Sequence, residues 1–127
     1  MITARHSATV SVFVLHIALG GFAAAETLNV PGDFTTIQGC INLAVSGVDE
    51  CLVAPGTYNE KINFLGKAIT VRSSDGAAVT TIDPNGLDSV VRCDNGEGPD
   101  TILDGFTITG GNTIEGGGIY TAFSTTT

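Results

Sequence analysis

Apolar and polar positions along the chain change period once and do not change back. Ile37, Cys40, Ile41, Ala44 and Val45 fall at i, i+3, i+4, i+7 and i+8, the stripe of a short amphipathic helix over 34–46. Asp33 or one of the threonines after it supplies its N-cap, and Gly47 its stop. Beyond Gly47 come short runs rich in β-branched residues: "CLVA", "KINF", "AITVR", "VTTID", "SVVRC", "TILDGFTIT" and "GGGIYTAF". Gly, Asp, Asn and Pro separate them, as expected for many short strands joined by polar turns.

Alternation within these runs assigns faces. Ile62, Phe64, Ile69, Val71, Ser89, Val91, Cys93, Phe106 and Ile108 point inward, whereas Lys61, Thr70, Arg72, Arg92, Thr107 and Thr109 point out. Leu103 has the wrong parity for Phe106, which predicts a corner at Asp104-Gly105. The runs also recur. "LVAPG", "KINF" and "AITVR" align with "TTIDP", "SVVRC" and "FTITG" at a spacing of about 30 residues, the scale of a solenoid with three short strands per turn.

The first 25 residues stand apart. Arg5 and His6 precede the apolar run "ATVSVFVLHIALGGFAA", and Ala23-Ala24-Ala25 ends it, the order of a cleaved secretory signal. The expected organisation is therefore a signal peptide over 1–25 and one small domain over 26–127. Export would place the protein outside the cell, at its surface or in a periplasm, with no membrane span left after cleavage.

Signal removal changes the available chemistry. The formal charge of −8 becomes −9, because Arg5 is lost and no acid with it. Both histidines, His6 and His16, leave as well. A neutral-pH base would have to be a shifted carboxylate or lysine, and zinc sites lose their usual imidazoles. The negative charge disfavours nucleic acid and polyanions as partners. Three cysteines in an exported chain fit one disulfide plus one thiol, with Cys40 and Cys51 the natural pair across the helix-to-strand turn. Three buried thiols are the alternative.

"VPGDFTTIQGCINLAVSG", "CLVAPGTYNEKINFLGKAITVRS", "GEGPDTILDGFTITGGN" and "GGGIY" together resemble the N-terminal end of the right-handed parallel β-helix proteins of the pectin-lyase-like superfamily. The resemblance runs from about Val30 to Tyr120. It implies an all-β right-handed solenoid whose first coil is plugged by the amphipathic helix, with a Cys40–Cys51 bridge as a rivet. "GGGIYTAFSTTT" starts a further strand and ends in a threonine run, which predicts two coils and part of a third, the N-terminal portion of a longer protein or a truncated product, with an uncapped last coil able to self-associate.

Catalytic signals are sparse. "GTYNE", Gly56 to Glu60, is similar to a signature near the start of pectin methylesterases, but the downstream aspartate and arginine motifs of that family have no counterpart here. Glycoside hydrolases need paired carboxylates at a set separation, and neither Asp83 nor Asp104 shows a partner. Asp94, Glu97 and Asp100 in "DNGEGPD" form an oxygen-rich loop that is a weak Ca²⁺ candidate; the same residues also make ordinary Asx turns. No catalytic residue is assigned. The expected role is structural or carbohydrate-associated. The alternative is the N-terminal fragment of a polysaccharide lyase, hydrolase or esterase whose catalytic coils lie downstream.

Overall fold

The computed structural model describes residues 24–114 and 117–122. Most of the expected signal segment therefore lies outside the described residues, as does the end of the chain from 123.

Ten short strands and one helix follow in order: β1 (Thr27–Val30), α1 (Ile37–Leu43), β2 (Glu50–Val53), β3 (Gly56–Tyr58), β4 (Ile62–Asn63), β5 (Thr70–Ser73), β6 (Thr80–Ile82), β7 (Val91–Cys93), β8 (Ile102–Asp104), β9 (Thr107–Ile108) and β10 (Ile119–Thr121). They build three parallel sheets: a first of β1-β2-β5-β8, a second of β3-β6-β9 and a third of β4-β7-β10. After β1 and the helix, each turn of chain contributes one strand to each sheet in rotation, so the fold is a parallel β-solenoid of about four turns with one short helix.

Like positions stack from turn to turn. Leu28, Cys51, Val71 and Leu103 form one inward column, and Tyr58, Ile82 and Ile108 another. Ile62, Phe64, Ile69, Val71, Val91 and Cys93 are all fully buried, as the alternation required. Each such aliphatic or aromatic side chain removed from water contributes about 1.5–3 kcal/mol. Phe106 and Ile108 point inward too but stay partly exposed beside the last described turn. The corner after Asp104 is real: Gly105 has φ +83° and separates β8 from β9.

The register of the repeat differs from the expected one. "KINF" does stack on "SVVRC", with Ile62 opposite Val91. "AITVR", however, lies on "CLVA" through Cys51 and Val71, and "FTITG" lies on "TTIDP" through Ile82 and Ile108. Turn length is the cause. Twenty residues separate Glu50 from its neighbour Thr70, but thirty-two separate Thr70 from Ile102. A uniform spacing cannot fit both. The short turn, and β1 before the helix, also raise the count above two coils and a part.

The helix is shorter than its apolar stripe. Thr36 is the N-cap, its Oγ1 accepting the Gly39 N–H at 2.9 Å. Asp33 instead accepts the Asn29 N–H on the free edge of β1. The helix ends at Leu43, before Gly47, because Asp49 Oδ2 accepts the Val45 N–H at 2.8 Å and pulls the chain out of helical geometry. Ile37, Cys40, Ile41 and Ala44 are buried over the end of the core. Cys40 and Cys51 form a disulfide, and Cys93 is buried outside that bridge.

Candidate functional site

Three groups of polar side chains stand out, and each is built by the stacking of turns. The first clamps the helix. The Glu60 carboxylate accepts the Ile37 and Gln38 N–H groups, both at 2.9 Å, which satisfies two donors that a helix start leaves open. At the other end the Lys67 ammonium donates to the carbonyls of Ile41, Asn42 and Ala44 at 2.7–2.9 Å. Burial pushes the Lys67 ammonium below the usual lysine range, and the Asp49 carboxylate opposes that shift. Between them Gln38 pairs with Asn63 on the free edge of β4. Tyr58 belongs to the same turn. Its hydroxyl donates to the Ala54 carbonyl at 2.8 Å, and burial, helped by the Glu60 charge, raises its pKa. "GTYNE" thus holds the cap in place.

A second group crosses the outer face of the first sheet. Arg72 donates from two nitrogens to the two Glu50 oxygens, at 3.0 and 3.1 Å, and stands directly opposite Asp104 on β8. The Arg72 hydrogen bond draws the Glu50 carboxyl below the usual carboxylate range against the opposing effect of burial, with Thr27 adding a further hydrogen bond.

The third group lies on the outer face of the third sheet. Arg92 packs over the Tyr120 ring, 4.7 Å from its centroid, because β7 and β10 place these residues side by side. Its guanidinium reaches Asp94 at 2.6 Å and Asp88 at 3.5 Å, and Lys61 reaches Asp88 at 3.1 Å. The Ser89 backbone N–H, with Lys61 second, lowers the Asp88 pKa. The result is a flat, half-exposed cation–aromatic patch edged by two carboxylates.

Arg72 and Arg92 both point outward, as alternation implied, but they project from different sheets and do not share a groove. The acidic loop does not converge. Asp94 bonds Arg92, whereas Glu97 turns inward and accepts the Gly66 and Asn95 N–H groups at 2.8 Å. Asp100 instead lines an open cleft of about 300 Å³ with Gly47, Asp49 and Thr70. Among the described residues no three His, Cys, Asp or Glu side chains form a group that could hold a metal ion. Gln38, Asp49, Lys61, Lys67, Asp88 and Tyr120 were not singled out as site residues in the sequence. Their one shared signal is distance along the chain: partners such as Arg92 and Tyr120 sit one turn apart.

What these elements define is a disulfide-linked, helix-capped parallel β-solenoid. The chain matches no protein-family profile, no curated protein and no solved structure.

Proposed function

We propose that this chain is an exported scaffold segment of the pectin-lyase-like kind, whose third sheet meets neutral carbohydrate. One observation carries the reading. All four cations after residue 25, Lys61, Lys67, Arg72 and Arg92, are engaged in bonds that hold the fold: Lys61 to Asp88, Lys67 to the helix carbonyls, Arg72 to Glu50 and Arg92 to Asp94. A lyase base or a polyanion-binding cation needs to be available to substrate. The buried Cys40–Cys51 bridge supports an oxidising compartment, reached through cleavage after residue 25. No helix among the described residues is long and apolar enough to cross a membrane. Calcium plays no part in the reading, since Asp94 and Glu97 already hold Arg92 and two backbone N–H groups.

The carbohydrate contact rests on the Arg92–Tyr120 patch. A flat ring offers a sugar's C–H face an apolar surface, and the adjacent carboxylates accept hydroxyl hydrogens. Binding of the secreted chain to a soluble neutral glucan and to polygalacturonate tests this, together with assay of both for cleavage. Neutral glucan should bind, weakened by Tyr120→Ala, and neither polymer should be cut. Depolymerisation of polygalacturonate that is lost in Arg92→Ala would establish the enzyme alternative instead.

A further inference from the structure

The chain contains two Asn-Gly pairs, Asn85-Gly86 and Asn95-Gly96, and both lie exposed in turns. Asn-Gly is the dipeptide in which the following backbone nitrogen reaches the side-chain amide most easily, because glycine adds no side chain to obstruct it. The structure treats the two pairs differently. The Gly86 N–H donates to the Gly110 carbonyl at 2.6 Å, and Asn85 is fixed at φ +60° with its own N–H on Asp83. The Gly96 N–H finds no acceptor among the described residues, and neither does the Asn95 side-chain amide.

We infer that Asn95 is a site of spontaneous deamidation and isomerisation, and that the fold protects Asn85 from the same reaction. The Gly96 nitrogen loses its proton to solvent base and attacks Cγ of Asn95. A C–N bond forms, the bond to the amide nitrogen breaks, and ammonia leaves with a proton from water. Water then opens the five-membered succinimide at either carbonyl, giving aspartate or isoaspartate at position 95. No oxidant, enzyme or cofactor takes part.

Two Asp-Gly pairs could follow the same course and are restrained. The Gly76 N–H donates to Ser73 Oγ at 3.0 Å. Asp104 is held in β8, paired opposite Arg72 of the neighbouring strand.

The position matters for the solenoid. The Asn95 carbonyl lies 2.8 Å from where a Cβ on Gly66 would stand, and Glu97 ties the Asn95 and Gly66 N–H groups together. This is the joint between consecutive turns on the way from the third sheet to the first. Isoaspartate inserts a methylene into the backbone at that joint, and either product adds a negative charge beside Asp94 and Glu97.

The test is incubation of the folded full chain at mildly alkaline pH, with peptide mapping of both sites by mass and by enzymatic isoaspartate labelling. A parallel sample in urea removes the fold. Native protein should convert Asn95 at least about fivefold faster than Asn85, the ratio one backbone hydrogen bond sets, and urea should bring the two rates together. Asn95→Gln should abolish the main product while leaving Asn85 unchanged. Equal native rates, or faster reaction at Asn85, would overturn the inference, and so would a ratio that persists in urea.

Discussion

The Gln38 side chain pairs with the Asn63 backbone as a neighbouring strand would. Its Nε2 donates to the Asn63 carbonyl at 3.0 Å, and its Oε1 accepts the Asn63 N–H at 2.7 Å. A parallel solenoid leaves an unpaired edge on its first turn, which invites association with other chains. Here one side-chain amide from the capping helix closes the β4 edge, while Asp33 occupies the edge of β1.

Gln38→Ala should therefore cost stability and solubility together. Loss of two part-buried hydrogen bonds predicts destabilisation of about 1–3 kcal/mol in urea unfolding. Light scattering should show greater association than in Asn42→Ala, since the exposed Asn42 side chain bonds only to Gln38 among the described residues.

Removing the disulfide tests the rivet. It joins residues 11 apart, and the Cys40→Ala, Cys51→Ala double variant should lose about 3 kcal/mol by the chain-entropy account. Non-reducing peptide mapping of the parent chain should recover the 40–51 bridge and a Cys93 peptide with its thiol reduced. A bridge containing Cys93 would contradict the assignment.

Most strands, their inward faces and the apolar stripe of the helix were legible in the sequence because apolar periodicity reports burial directly, whereas the capping role of the helix came from the family resemblance. Ile62 with Phe64 and Ile69 with Val71 are examples, and all four are buried. Register was not legible beyond "KINF" on "SVVRC". The connections over 74–79, 83–90 and 94–101 together lengthen a single turn, and loop length carries no hydrophobic signal. β1 and β3 escaped for related reasons. β1 has a single buried pair, Leu28 and Val30, and β3 buries no residue fully. The clamps could not be read at all. Glu60, Lys67 and Gln38 are ordinary polar residues, and only folding reveals that their partners lie 22 to 26 residues away.

Acid should weaken the first sheet. Glu50 titrates below its ordinary value when folded, so its contribution is complete above the unfolded pKa and disappears as pH falls through the folded one. Arg72 is 41% exposed, which limits the effect to about 0.3–1 kcal/mol after screening by solvent. Glu50→Gln should be less stable than the parent at neutral pH and converge with it in acid. Parallel stability curves for the two across that range would refute the linkage.

The interior also contains two hydroxyls, Thr80 Oγ1 and Ser89 Oγ, that are buried without a hydrogen-bond partner among the described residues. Thr80→Val keeps the shape and removes the desolvated group, so it should raise stability by about 1 kcal/mol. A loss measured in the same unfolding experiment would mean that the hydroxyl has a partner in solution, such as a buried water.

Glu60 is the sharpest case of a charged residue that holds this fold. It sits in the segment most similar to an enzyme signature, yet both its oxygens hold the start of the capping helix. Guanidinium unfolding of the parent and of Glu60→Gln is the measurement. Stability should fall by about 1.5–3 kcal/mol, the scale of charge-assisted bonds in a part-buried site. Unchanged or increased stability would contradict it, because that is how a residue retained for chemistry at a cost to the fold behaves.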